Sequence, residues 1–272
     1  MIVNVEQRWQ GGGARWVAPS GGVFEPSRYR VDEVGEREAR AFVVAHHYSA
    51  SYPAARYRVG LFEVSTGALV GVCVFSVPMS QGVLTRYADL GDAREGVELG
   101  RLVLLGDVAF NAESWFVSRA LKQVREAKGV RFVLSYSDPV ERRAASGEVV
   151  KPGHVGTIYK ALNARFMGRS SSRVLLLSSS GVCVSPRALS KIRNGEVGAR
   201  YAEGQLREAG APPREAGEGG AEYVARVLGG GLFQRLAHPG NLAYGWALER
   251  GRKGEALFNL PALPYVRVGG GA

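Results

Sequence analysis

The sequence predicts an α/β (α+β) protein with a mixed central β-sheet flanked by helices. Apolar runs of strand length alternate along the chain with segments that have a helical repeat. The turn Ser65-Thr66-Gly67 joins the first two runs into a hairpin. The resulting order is helix, hairpin, strand, helix, strand, helix, strand, which indicates layers of helix on sheet. A chain of 272 residues can bury one core with a small appendage.

The first predicted helix spans Glu36 to His46. Ala39, Phe42, Val43 and His46 recur at the i, i+3, i+4 and i+7 positions, so they share one helix face. This apolar face is expected to pack on the sheet. His46 is therefore interpreted as a packed core histidine.

Two further helices and five strands complete the predicted domain. Asn111 is expected to cap, through its side chain, a helix that runs to about Lys128. The last helix is predicted from Gly156 to Arg165. The strands are Tyr57 to Val64, Leu69 to Val77, Glu98 to Leu105, Arg131 to Ser137 and Arg173 to Leu177.

The predicted domain organisation has three parts. Residues 1–30 are predicted to form an arm, residues 31–180 the main α/β domain, and residues 181–272 a basic extension that packs on the same domain. Residues 210–231 are rich in Gly, Ala, Pro and Glu and are predicted to form a flexible loop. The tail from Leu242 carries four aromatic residues and is expected to return to the domain as one or two strands.

The charge balance favours a polyanionic partner. The chain has 35 Lys and Arg against 25 Asp and Glu, giving a net charge of +10 and a pI near 9.8. One basic run is predicted to follow phosphates, the alternative being a solvated face. The members of this run are Arg165, Arg169, Arg173, Arg187, Lys191, Arg193 and Arg200.

Two further features concern the cellular compartment. Cys73 and Cys183 lie in apolar runs and are predicted to be reduced, buried thiols. The chain begins without the apolar core of a signal peptide, and no apolar run has the length of a membrane span. These features predict a soluble protein of the cytoplasm.

The junction between the fourth strand and the last helix is the first candidate site. An apolar strand ends abruptly in Ser135-Tyr-Ser-Asp138-Pro139, and Gly153-His154-Val-Gly156 then opens a helix. Ligands of open α/β sheets bind outside the carboxyl ends of the strands. Polar side chains are costly to bury, so their concentration at this strand end indicates a binding or catalytic use.

Five side chains near this junction receive candidate roles. Asp138 is predicted to accept a proton or hydrogen bond from an amine, the alternative being an Asp that caps the following turn. His47 is a second candidate acceptor, and His154 is expected to orient a neighbour or touch substrate. Tyr159 and Asn163 are four residues apart and are predicted to share a helix face.

The motifs resemble those of the phage-encoded Mom family of DNA-modification proteins. The matching runs are His47-Tyr48-Ser49, Asn111-Ala-Glu-Ser114, Ser135 to Pro139, and Gly153 to Asn163, in the family's order. The resemblance covers roughly Asp32 to Leu177. The family joins Asp-Pro to Gly-His nearly directly, whereas residues 140–152 intervene here. This insert is charged and is expected to bulge into solvent and to shift Asp138 relative to Tyr159.

The resemblance implies a GNAT acetyltransferase-like fold and a reaction on double-stranded DNA. The expected reaction transfers a small acyl-type group to the N6 amine of adenine, giving a carbamoylmethyl-type product. Base flipping would expose that amine. Tyr159 is then the candidate acid that protonates the leaving group, while Tyr48, Ser49, His154 and Asn163 are candidates for substrate binding.

The group donor is left open by the sequence. In the resemblance, Asn111 and Ser114 flank the helix start that binds the donor, because free N–H groups there favour phosphate. The glycine signature of the acyl-CoA loop is missing from this stretch. An acyl-CoA, a glycyl donor or another activated small molecule therefore all remain open, as does a metal.

Two alternatives compete with DNA modification. One is a GNAT-type N-acyltransferase that acts on a small amine or a protein, which would not show salt-sensitive binding to DNA. The other is a DNA-binding protein without chemistry. Replacing Asp138 with Asn would leave the activity of such a protein intact.

Overall fold

The computed structural model describes residues 6–10, 13–17, 24–47, 49–108, 111–151 and 153–266. These residues fall into two compact units, each assembled from separated stretches of chain. The first unit consists of Met1–Asp138, His154–Arg169 and Asn241–Ala272, and the second of Pro139–Gly153 and Ser170–Gly240.

Strands and helices are numbered along the described chain. The strands are β1 (Glu6–Gln10), β2 (Gly13–Val17), β3 (Tyr29–Glu33), β4 (Ala55–Glu63), β5 (Leu69–Ser76), β6 (Gly96–Leu104), β7 (Phe132–Ser137), β8 (Arg142–Arg143), β9 (Val149–Lys151), β10 (Arg165–Arg169), β11 (Arg173–Leu177), β12 (Gln234–His238) and β13 (Leu242–Ala247). The helices are α1 (Glu36–His46), α2 (Gln81–Tyr87), α3 (Ala112–Lys128), α4 (Thr157–Ala161), α5 (Pro186–Asn194), α6 (Ala199–Glu208), α7 (Gly220–Gly229) and α8 (Gly251–Ala256).

The first unit is built on a seven-stranded mixed sheet in the order β10-β13-β7-β6-β5-β4-β3. Strands β6 and β7 form its parallel pair, and the other neighbours are antiparallel. The predicted α/β class with a mixed central sheet flanked by helices is therefore confirmed. The tail from Leu242 does return as a strand, and it inserts between β7 and β10.

Helices cover both faces of this sheet because side chains alternate along each strand. Val72, Val74 and Val103 lie on the face that packs against Phe42 and Val43 of α1. We call this face the α1 face; α2 also packs there, against β7. The opposite face, the α3 face, is covered by α3 over the following side chains: Cys73, Phe75, Val97, Leu99 and Val133.

The last predicted helix is wrong in extent. It was expected from Gly156 to Arg165, but α4 ends at Ala161 and Arg165 already belongs to β10. Asn163 lies between them in the left-handed region with φ 55°, a conformation that ends a helix and that Asn tolerates. The helical spacing predicted for Tyr159 and Asn163 therefore does not apply.

The second unit has a helical core of its own. Helices α5, α6 and α7 bury Leu189, Ile192, Leu206, Tyr223 and Val224 against one another. Strand β11 pairs with β12 in this unit and forms no part of the seven-stranded sheet. The stretch 210–231, predicted as a flexible loop, contains α7.

The insert at residues 140–152 forms a hairpin of the second unit, and residues 145–150 are exposed, which agrees with the expectation of a bulge into solvent. Strands β8 and β9 pair within it, and Lys151 at its end is only 2% exposed. The Ala145 N–H donates to the Ser179 carbonyl at 2.7 Å. A Cβ atom on Gly181 would lie 2.8 Å from Val150 Cγ2, so this contact has no room for a side chain.

Candidate active site

The central feature of the candidate site is a gap between β6 and β7. Their pairing covers only Gly96 to Glu98 on β6, opposite Phe132 to Leu134 on β7. Beyond Glu98, β6 continues to Leu104 while β7 stays paired with β13 up to Ser137. In this described part of the sheet the two strands therefore diverge towards their carboxyl ends.

A bulge in β6 and a serine on β7 mark the point of divergence. Gly100 is skipped in the register of β6 with β5, and a Cβ atom there would lie 2.5 Å from Ser76 Oγ. This bulge frees the Leu99 carbonyl from a regular ladder. The hydroxyl of Ser135, fully buried, donates to that carbonyl at 3.0 Å. A side chain thus replaces the missing backbone bond where the strands separate.

Asp138 lies at the carboxyl end of β7 and is only 9% exposed. Its carbonyl accepts the His154 N–H at 2.9 Å, so the residues on either side of the inserted hairpin are direct neighbours. The hydroxyl of Tyr244 donates to the Val155 carbonyl at 2.7 Å and anchors the same turn to β13. The structure therefore brings Asp138 and His154 together despite the insert.

Tyr159 packs against the aromatic side chains of β13 on the α3 face. Its ring centroid lies 5.4 Å from that of Tyr244 and 5.5 Å from that of Trp246, the latter at 90°. Gly156 precedes it with φ +68°, and a Cβ atom there would lie 2.8 Å from the Tyr159 ring and 2.9 Å from the Tyr244 ring. Glycine is required here for both its backbone conformation and its size.

His47 belongs to a chain of polar contacts. Its Nδ1 atom accepts the Ser49 N–H at 3.1 Å and lies 2.8 Å from Ser49 Oγ. Ser51 Oγ donates to Ser49 Oγ at 3.1 Å, and Arg101 Nη2 donates to Ser51 Oγ at 2.8 Å. Arg101 projects from the α1 face, because it lies opposite Val74 in the register. Tyr48, the candidate base-binding residue, lies outside the described residues.

The contacts of His47 bear on its predicted role. A ring nitrogen that accepts a backbone N–H carries no proton, so a neutral His47 ring has its proton on Nε2. In this state Nδ1 is occupied by the Ser49 N–H and Nε2 is a hydrogen-bond donor, so neither ring nitrogen can take a proton from the substrate. The geometry therefore favours Asp138 over His47 as the proton acceptor.

The residues predicted to bind the group donor and the substrate adopt only part of the expected geometry. Asn111 adopts the left-handed conformation with φ 69°, is exposed, and makes no capping bond to α3 with its side chain. The predicted side-chain cap is therefore wrong. The Ser114 hydroxyl instead donates to the Asn111 carbonyl at 3.2 Å. Asn163 is exposed after the end of α4, away from the helix face that was predicted for it.

The model of the Mom protein family matches residues 28–216, which is more than half of the chain. This chain belongs to the Mom family. The match includes the two diverging strands, both ends of the inserted hairpin, and α4.

A curated relative in the family is "Methylcarbamoylase mom" of Escherichia phage Mu. It is 30% identical over 145 residues, which are 53% of this chain and 55% of the relative. The chain thus spans about half the length of that relative. Among solved structures, "Tandem GNAT protein from the clavulanic acid biosynthesis pathway (without AcCoA)" covers 82% of this chain and 99% of its own, with 9% identity. The TM-score of this match is 0.41.

Two half-buried groups near the gap were missed by the sequence interpretation of this Mom-family chain. Glu98 lies on the α1 face beside Leu134, and burial raises its pKa while Arg101 opposes the rise. Tyr136 lies on the same face, where burial first and then a hydrogen bond with Tyr87 raise its pKa. A lone acid between Val97 and Leu99 was the sequence signal for Glu98.

A buried acid that was also missed, Glu113, lies in the first turn of α3 and is 5% exposed. It lies inside the matched run Asn111-Ala-Glu-Ser114, in which candidate roles went to the two flanking residues. An acid in the first turn of a helix is favoured by the helix dipole. The run itself was the signal that could have identified it.

The basic run predicted for DNA is divided between the two units. Arg165 and Arg169 bound β10 of the first unit, whereas Arg187, Lys191 and Arg193 lie on α5 of the second. Two members of the run have acidic partners. Arg165 pairs with Glu255 and stacks on Phe258, and Arg187 pairs with Glu196.

No group of three or more His, Cys, Asp or Glu side chains in the described part of the chain is arranged to hold a metal ion. No helix in the same part of the chain is both long and apolar enough to cross a bilayer.

Proposed function

We propose that this protein is a DNA-modifying transferase that adds a small carbamoylmethyl-type group to the N6 amine of adenine. Membership of the Mom family and the name of the phage Mu relative support the reaction class. The observation that carries the proposal is the gap between β6 and β7, with Asp138 buried at the carboxyl end of β7.

The gap suits a reaction between two substrates. The segment from His47 to Ser51 contacts Arg101 on the α1 face, whereas Tyr159 packs with Tyr244 and Trp246 on the α3 face. Candidate groups thus stand on both faces of the sheet, and the strands part between them. A donor and an acceptor that approach from opposite faces can react through such a gap.

The chemistry requires a proton acceptor and a proton donor. The adenine N6 lone pair is delocalised into the ring, so the amine must be positioned and relieved of a proton as its nitrogen bonds the donor carbon. Asp138 is the proposed acceptor. The bond from that carbon to the leaving group breaks, and Tyr159 is the proposed source of the proton that the leaving group takes.

Adenine in duplex DNA must leave the base stack to reach such a site. Tyr48 and Ser49 are the proposed contacts to the flipped base, with His154 beside Asp138 as a positioning residue. Asn111 and Ser114 remain the proposed donor contacts at the start of α3, where backbone N–H groups favour an anion. The net charge of +10 agrees with a polyanionic substrate.

The test is expression of the protein in a bacterium, followed by digestion of the DNA and mass spectrometry of its nucleosides. We expect a deoxyadenosine whose added mass corresponds to one small carbamoylmethyl-type group. DNA that contains only unmodified adenine, in cells that hold folded protein, would contradict the proposal. A modified protein or small amine in the same cells would favour an N-acyltransferase instead.

A further inference from the structure

A small pocket in the second unit carries an unusual concentration of arginine. Its volume is about 240 Å³, below the roughly 300–1,000 Å³ that is usual for drug-sized ligands. A single phosphate group suits this size better than a whole cofactor. The residues that line the pocket are Arg200, Glu203, Arg207, Pro213, Arg214 and Tyr223.

Helix α6 supplies one side of this pocket. Arg200, Glu203 and Arg207 are spaced by three and four residues and therefore lie along one face of the helix. Ala202 and Leu206 occupy a different face and are buried in the core of the unit. Packing of α6 thus turns the two arginines outwards, and both are exposed.

The single carboxylate of the pocket is already engaged. Glu203 Oε1 accepts from Arg214 Nη1 at 3.0 Å, and Arg214 Nε donates to the Glu218 carbonyl at 2.6 Å. Arg200 and Arg207 make no ion pair with any residue that the structure describes. After Glu203 and Arg214 neutralise each other, the pocket keeps two positive charges that face solvent.

The base of the pocket is rigid. The Tyr223 side chain is fully buried, and its hydroxyl donates to the Pro212 carbonyl at 2.9 Å. Arg214 is held by two partners, as described above. Arg200 and Arg207 therefore project beside a well-packed surface. Such a surface loses little conformational entropy when an anion binds.

The charge and chemistry of the two arginines suit a nucleic-acid backbone. Seven residues of α-helix rise about 10.5 Å, so the two side chains leave the helix at well-separated points from which they can contact different phosphates of one duplex. Guanidinium groups bind phosphate oxygens in pairs, which suits arginine better than lysine. We propose that the Arg200–Arg207 face of α6 binds the phosphate backbone of duplex DNA, an inference that rests on the proposed DNA substrate.

The first experiment measures binding of a fluorescent duplex oligonucleotide by anisotropy at several salt concentrations. The R200Q/R207Q variant loses two phosphate contacts, so its slope of log affinity against log salt should be smaller by about two. The control R235Q/R252Q removes the same charge from exposed positions on β12 and α8. A slope for R200Q/R207Q equal to that of the control would overturn the inference.

A second variant is expected to strengthen DNA binding, so its result cannot be explained by a loss of protein stability. E203Q removes the acid that neutralises Arg214, so it should raise the affinity for the duplex and increase the slope by up to about one. An affinity that is unchanged or weaker would overturn the inference. Melting temperatures of the variants are measured alongside, and E203Q decides the question if R200Q/R207Q does not fold.

The outcomes separate this inference from the proposed function. If the wild type modifies DNA and all variants share its salt slope, then only the α6 surface is wrong. If the wild type neither binds the duplex nor modifies adenine, then the DNA substrate and this surface fail together. If R200Q/R207Q binds weakly but still modifies DNA at high concentration, then the surface serves recognition and the chemistry lies in the first unit.

Discussion

The two units differ in where they hold their polar groups. The first unit buries Ser135, Ser137 and Asp138 at the end of one central strand. The second unit buries Lys151, Ser178 and His238 on three separate segments of chain and displays many of its charges at the surface, as with Arg187 beside Glu196. Burying a polar group is costly, whereas an exposed ion pair contributes little either way.

This difference suggests a division of roles between the units. A costly buried group persists where the reaction needs it, so the strand end of the first unit is the proposed place for chemistry. Exposed arginines act on a polyanion through solvent and are suited to recognition. The experiments below test that division, beginning with the largest expected effect.

Asp138→Asn should reduce adenine modification about a hundredfold or more, because the amide cannot accept the proton. Mass spectrometry of nucleosides measures the loss, and duplex binding should persist. The matched control is Asp89→Asn, which changes an exposed acid of the same unit. Modification near the wild-type level in Asp138→Asn would remove this residue from the mechanism.

Tyr159→Phe should also lower modification about a hundredfold while leaving the fold intact. The ring keeps its contacts with Tyr244 and Trp246, so only the hydroxyl proton is lost. Tyr201→Phe on α6 serves as the control because this tyrosine is exposed. If both variants modify DNA equally well, then Tyr159 has only a packing role.

Replacing residues 140–152 with two glycines should lower the melting temperature by about 5 °C or more. The deletion removes the bond from Ala145 to Ser179 and the packing at Gly181, and each net hydrogen bond contributes about 1 kcal/mol. Scanning calorimetry measures the shift. Glu148→Gln, which keeps the hairpin, should melt like the wild type. A deletion variant that melts unchanged would mean that the hairpin does not stabilise the second unit.

Two glycines of the second unit should respond in opposite directions to alanine. A Cβ atom on Gly240 would lie 2.0 Å from the Ser170 carbonyl oxygen, so Gly240→Ala should destabilise by about 1–3 kcal/mol. Gly204 lies inside α6 with no atom within 4 Å of a Cβ, so Gly204→Ala should stabilise by up to about 1 kcal/mol. Chemical denaturation measures both changes, and changes of equal sign would contradict these contacts.

The sequence predicted the elements whose periodicity is local. Helix α1 has its predicted bounds, and each end of β5 and β6 lies within two residues of the end predicted for that strand. The position of β13 between β7 and β10 could not be predicted, because pairing between strands that are far apart in the sequence leaves no local pattern. The end of α4 was missed because a left-handed Asn163 looks, in sequence, like any polar helix residue.

The candidate site was predictable only in part, for a similar reason. Asp138 and His154 were chosen because polar residues interrupt an apolar strand and a glycine pair follows. Glu98 also interrupts an apolar run, but its burial depends on the strand that lies beside it, as does the position of Arg101. The second unit was not recognised, although Tyr223, Val224 and Val227 of α7 recur at helical spacing, because its segments are separated along the chain and meet only in space.

The bond between the Asp138 carbonyl and the His154 N–H has an evolutionary consequence. Because the chain departs and returns at touching residues, codons can be gained or lost between these positions without altering their separation. Lengthening such a loop costs little free energy. A change in the length of this segment should therefore have little effect on catalysis. We expect natural variants of the chain to differ in length most between Asp138 and His154.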